Sequence, residues 1–131
     1  MSVQSCELEI RVRYVEVDAM GVLHHSRHWV YFEMGRTELL RAGGMTYLQC
    51  EQAGVYLVVV KGSVRYRAPA RYDDLLVLTT RLEKMGQVKI EYSYELRRTG
   101  DNCLLATAST TLACVNGEGK AIAIPAALRG K

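Results

Sequence analysis

The chain has few of the residues that break, cross-link or anchor a fold. Its 131 residues include only two prolines and 11 glycines, too few for a low-complexity or collagen-like chain. The four cysteines, Cys6, Cys50, Cys103 and Cys114, stand far apart with no CxxC pair and no zinc-ribbon spacing. They read as reduced thiols packed like small apolar side chains. No stretch reaches the ~18 consecutive apolar residues of a membrane helix. The opening segment is charged from Glu7 onward and lacks the apolar core of a secretion signal. These absences point to a cytoplasmic protein with no membrane span. GxGxxG and the P-loop pattern are missing too, and with them the common phosphate-cradling loops. A net charge of +3 is too mild to mark a nucleic-acid binder, and no RNA-binding pattern of aromatics among basic residues is present.

What is present is ordinary globular material. Apolar residues make up 49% and charged residues 24%, which excludes disorder. Without repeats or linkers, residues 1–131 read as a single domain, large enough to bury a core of its own.

The periodicity changes along the chain. Leu8, Ile10, Val12 and Tyr14 alternate with Glu9, Arg11 and Arg13, the pattern of a strand with one buried face. A loop around Gly21 follows. Residues 26–42 read as a helix with Ser26 as N-cap and Gly43-Gly44 as its stop. Trp29, Val30, Tyr31, Phe32, Met34, Leu39 and Leu40 cover much of its circumference, which predicts a helix buried on most sides. Residues 45–54 add a helical turn. Everything beyond reads as strand: a continuous apolar run at 55–60 expected to be buried, then 64–68, 74–84, the clearly alternating 88–97, and a small-residue strand at 103–115 that a helix can approach closely. One long apolar helix and several antiparallel strands are reconciled if a curved sheet wraps around the helix. This predicts the α+β hot-dog fold, a five- to six-stranded sheet around one long buried helix. Its open edges call for a homodimer or homotetramer.

Polar residues gather between the first strand and the helix: Tyr14, Glu16, Asp18, His24, His25, His28 and Glu33. Asp18 lies in the loop leading to the N-terminus of the helix, where unpaired N–H groups can polarise a carbonyl. A carboxylate facing that carbonyl can attack it or activate water.

The string YVEVDAMGVLHHSRHWVYFEMGRTELLR and the segment VRYRAPARYDD resemble the 4-hydroxybenzoyl-CoA thioesterase family of the hot-dog superfamily, in particular the bacterial acyl-CoA thioesterases encoded with the Tol–Pal system. The resemblance runs over nearly the whole chain. It implies hydrolysis of an acyl-CoA to free acid and CoA without metal or organic cofactor, with an acyl-carrier-protein thioester as another substrate. It implies Asp18 as nucleophile or general base, Gly21 as the glycine that turns the loop, His25 as the residue whose N–H meets the thioester carbonyl, and Glu33 as a helix carboxylate at or behind the site. His28 and Arg27 fall beside the expected acyl pocket, and Gly21, Trp29 and Tyr14 are further candidates for contact with the substrate. His28 replaces the usual Tyr and Arg27 the frequent Asn. Where the 4-hydroxybenzoyl enzymes carry a basic cluster for the CoA phosphates, this chain has Gly86, Gln87 and Val88 with only Lys84 and Lys89 nearby, and Arg65, Arg67 and Arg71 are alternative cations.

Each residue also has a plainer reading. Asp18 can cap a turn, and His25 can be a hydrogen-bonded helix-start residue. Glu33 can pair with Arg36 at i,i+3. His24 and His28 have metal-ligand spacing but no third ligand. Tyr14 reads as a core strand residue, Trp29 as core or pocket wall, and Arg65 and Arg67 as a solvated face. Two other functions stay open on the same fold: an acyl-thioester hydratase/dehydratase and a non-catalytic acyl-CoA-binding module.

Overall fold

The computed structural model describes residues 4–129, so the single-domain reading extends past the described residues at both ends. Five strands form one antiparallel sheet: β1 (Ser5–Arg11), β2 (Tyr56–Tyr66), β3 (Leu75–Met85), β4 (Lys89–Arg98) and β5 (Leu104–Val115), in the order β1-β3-β4-β5-β2. β1 and β2 are therefore the two edges. Helix α1 (Arg27–Ala42) lies against β1 and β3, and a short α2 (Tyr47–Gln52) leads into β2. This is the expected hot-dog arrangement, with five strands.

Pattern explains most of it. On β4, Ile90, Tyr92, Tyr94 and Leu96 are buried, while Lys89 and Glu91 face out. The register continues that inner face onto Leu76, Leu78 and Thr80 of β3 and onto Ala106, Thr110 and Leu112 of β5. Each fully buried Leu or Phe contributes about 1.5–3 kcal/mol. The close approach of α1 rests on its own Gly35: a Cβ there would lie 2.2 Å from Thr80 Oγ1 and 2.7 Å from Leu78 Cδ2. Phe32 stacks on Tyr94 with ring centroids 4.7 Å apart, and Trp29 lies over Gly62 of β2. The helix stops at Gly43, whose N–H reaches the carbonyls of Leu39 and Leu40.

Five expectations need correction. The segments 55–60 and 64–68 are one strand, β2, with an irregularity between Val59 and Lys61. Its apolar run is not buried: Val58, Val59 and Val60 are 41–52% exposed, because β2 is an edge with no layer over it. The helix is not enclosed either, since Val30, Glu33 and Met34 form an open stripe at helical spacing. Tyr14 is no core residue. It sits in a single 3-10 turn after β1, 78% exposed, edge-on to Tyr72. Finally, Ser26 places no side-chain cap on α1; its hydroxyl pairs with His24 Nδ1 at 2.8 Å instead.

Candidate active site

The loop between β1 and α1 is held at Glu16, only 2% exposed. Its Oε1 accepts from the Arg13 N–H and the Tyr31 hydroxyl, both at 2.8 Å, and Oε2 from the Arg13 guanidinium at 3.2 Å. Burial pushes this carboxyl up, but the three hydrogen bonds and the Arg13 charge outweigh it and hold the group below the usual carboxylate range. Burial first, and the Glu16 carboxylate second, push the Tyr31 phenol well above its ordinary value. The Glu16 carbonyl accepts the His24 N–H at 2.9 Å, which ties the entry of α1 to the same anchor.

Asp18 is half-buried in a tight turn. Its Oδ1 accepts from the N–H groups of Met20 (2.8 Å) and Val22 (3.4 Å), and its carbonyl from Gly21 N–H (2.9 Å). Gly21 has φ +76°, the left-handed region that glycine enters without a Cβ penalty. The turn thus fixes one carboxylate oxygen and leaves Oδ2 without a partner among the described residues.

Asp18, His25 and His28 meet on a cleft of about 380 Å³, whose walls include Val22, Tyr66, Arg67 and Pro69. The His25 carbonyl accepts the Tyr66 hydroxyl at 3.0 Å and His28 Nδ1 at 3.2 Å. A carbonyl only accepts, so His28 carries its proton on Nδ1. Burial pushes the His28 imidazole below its ordinary pKa despite that bond, keeping the ring neutral at pH 7. Its ring meets Tyr66 edge-on at 4.8 Å. The His25 N–H has no hydrogen-bond partner among the described residues, and it stands at the positive end of the 16-residue α1.

The other candidates lie elsewhere in the single chain. Gly21 shapes the turn without lining the cleft. Trp29 packs on Phe32 and Gly62. The Glu33 side chain is 69% exposed, 3.7 Å from the Arg36 guanidinium, and lines a separate hollow with Leu8 and Met34. Tyr14 is on the outer surface. Of the residues that build the cleft and its anchor, the sequence marks Glu16 only as one of the clustered polar residues and Arg67 only as an alternative cation, and Tyr66 carries no individual signal. A further hint is that Glu16, Tyr66 and their neighbours fall inside the two segments that resemble the family. Among the described residues, no group of three or more His, Cys, Asp and Glu side chains gathers to hold a metal, and no helix is long and apolar enough to cross a membrane.

An acid with one free oxygen that shares a cleft with a free N–H near a helix start can act on a polarised carbonyl. The chain is similar to known proteins along most of its length. The model of the thioesterase-like superfamily matches residues 12–131. The acyl-CoA thioesterase YbgC of Haemophilus influenzae is 33% identical over 88% of this chain and 85% of its own. A hypothetical protein of Thermus thermophilus superposes with a TM-score of 0.89 at 36% identity, covering 95% of each chain. A 4-hydroxybenzoyl-CoA thioesterase crystallised with 4-hydroxybenzoyl-CoA superposes with a TM-score of 0.88 over 96% of each chain; at 16% identity this bears on the fold alone.

Proposed function

Because the chain belongs to the thioesterase-like superfamily, we propose that it is a thioester hydrolase cleaving acyl-CoA to a free acid and CoA, with Asp18 as its working carboxylate. The observation that carries this reading is the sharing of one cleft by Asp18, with Oδ2 uncommitted, and His25, with an uncommitted N–H. The thioester oxygen sits against the His25 N–H, where the helix end stabilises the charge that develops on it. Asp18 then acts in one of two ways. As nucleophile, its oxygen bonds the carbonyl carbon, the C–S bond breaks, CoA leaves as thiolate, and water hydrolyses the acyl-aspartyl anhydride. As base, it takes a proton from the water that attacks. Either way sulfur leaves readily, so neither metal nor organic cofactor is required. An acyl-carrier-protein thioester would meet the same cleft.

The reading includes self-association as a homodimer or homotetramer, with 1–131 acting as one domain. Its support is the bare apolar edge at β2 and, separately, the open Val30 and Met34 stripe of α1.

Thiol release across a panel of acyl-CoAs tests the function. Wild type is expected to turn over at least one class, and Asp18→Asn to lose ~10²–10³ in kcat, the scale set by removing a charge-stabilising group from such a site. Undiminished turnover by Asp18→Asn overturns the mechanism. Double-bond change without thiol release indicates a hydratase, and CoA-ester binding without turnover a binding module.

A further inference from the structure

Two arginines at the end of β2 remain outside this account. Arg67 lines the Asp18 cleft and is exposed. Arg65, two residues earlier, is exposed on the outer face of the sheet, beside Thr107. Neither forms an ion pair or a side-chain hydrogen bond among the described residues, although nine ion pairs are made there by other side chains. Arg65 lies in a groove of about 350 Å³ lined also by Ser63, Thr107 and Ser109. The register explains the grouping: Arg65 is opposite Thr107 and Ser63 opposite Ser109, so one guanidinium and three hydroxyls stand in a two-by-two block. The Ser63 and Ser109 hydroxyls are 3.0 Å apart. The neighbouring carboxylate, Glu95 beside Thr107, is already held by Arg81 and Arg97.

A cation with hydroxyl donors around it is the donor set of a phosphate site. Resting on the acyl-CoA reading, we propose that Arg67 and the Arg65 groove form a track for the phosphates of the carrier: Arg67 takes the diphosphate as the pantetheine arm leaves the cleft, and Arg65 with Ser63, Thr107 and Ser109 takes the ribose 3′-phosphate further along β2. The dimensions agree. The pantetheine arm has about as many backbone bonds as four residues and spans ~13 Å when extended. That exceeds the cleft, so the diphosphate must lie at or beyond its mouth, where Arg67 is. From Arg67 back to Ser63 the strand runs ~13 Å, within reach of the remaining nucleotide.

Three thioesters of one acyl group separate the parts: acyl-CoA, acyl-3′-dephospho-CoA and acyl-pantetheine. KM is measured for each with wild type, Arg67→Gln, Arg65→Gln and the charge-preserving Arg65→Lys. The readout is the ratio of KM values within each variant, so a general loss of activity does not imitate the effect. Arg67→Gln is expected to shrink the preference for both nucleotide esters over acyl-pantetheine by about tenfold, the weight of one charge-assisted contact. Arg65→Gln should shrink only the preference for acyl-CoA over the dephospho ester, and Arg65→Lys should retain most of it. Unchanged ratios overturn the track. A preference that shifts instead between neutral and carboxylated acyl groups also overturns it, by assigning Arg67 to the acyl moiety. If wild type cleaves none of the three, the thioesterase reading fails separately, and binding of free CoA, 3′-dephospho-CoA and pantetheine decides the track. A phosphate preference lost in the variants supports it, and equal binding overturns it.

Discussion

At the scale of single residues, the candidate site rests on a buried carboxylate. Glu16 binds Arg13 and Tyr31 by side chain and His24 by its carbonyl, so the turn bearing Asp18 and the start of α1 share one buried anchor. Glu16→Ala strands the Tyr31 hydroxyl and the Arg13 N–H and should cost about 2–3 kcal/mol, read from the denaturation midpoint; Tyr31→Phe should cost less, since it removes one bond and no charge. Titration gives a second prediction. His28 binds its proton less readily in the folded state than in the unfolded chain. The unfolded state therefore takes up more protons below the ordinary imidazole value of about 6.5, and stability falls as pH drops through that region. Glu16, held below the usual carboxylate range, adds a further loss only at lower pH, as the unfolded carboxyl becomes protonated. Thermal unfolding followed from pH 7.5 to 5.5 should show the His28 component in wild type and a flatter slope in His28→Gln.

At the scale of elements, the seating of α1 is the controlling contact. Gly35 allows the helix to sit on β3 without an intervening side chain, over Leu78 and Thr80. Alanine is the better helix former by about 1 kcal/mol, yet its Cβ would enter the space of both side chains, and overpacking of this kind costs about 1–3 kcal/mol. Leu78 and Thr80 are fully buried and have little room to yield. Gly35→Ala is therefore expected to lower stability, measured by chemical denaturation. A stability gain would mean the sheet relaxes more freely than its packing implies. The seating also aims the N-terminus of α1 at the cleft, where Tyr66 from β2 holds the His25 carbonyl. Helix, turn and edge strand thus each fix one side of the same small space.

At the scale of the whole molecule, the surface left over is informative. Val59 is in register with the buried Leu112 yet is itself 49% exposed, so the inner face of β2 continues past the cover that α1 provides. A long apolar edge in an isolated chain is an aggregation hazard. Its burial by a second copy gives the proposed assembly, and Val59→Lys should shift the sedimentation coefficient toward the monomer while the sheet signature in circular dichroism persists. A monomeric wild type would remove that part of the reading.

Local order decided much of this protein. The alternation of Ile90 to Leu96 dictates β4, because a two-residue period puts every second side chain on one face wherever the strand lies. The glycines after Ala42 end α1 for a similarly local reason, and Asp18 stands out because a carboxylate before a left-handed glycine forms its own turn. Tertiary structure alone decided the remainder. The run at 55–60 spells a buried strand, but burial depends on what lies above it, and β2 came to the edge. Tyr14 continues the alternation of β1 in sequence, but the chain leaves the sheet at Arg11 and carries it outside. Tyr66 and Arg67 enter the cleft from about 40 residues beyond His25. No local period encodes such a meeting, because it is set by which strands pair and how closely the helix is allowed to approach them.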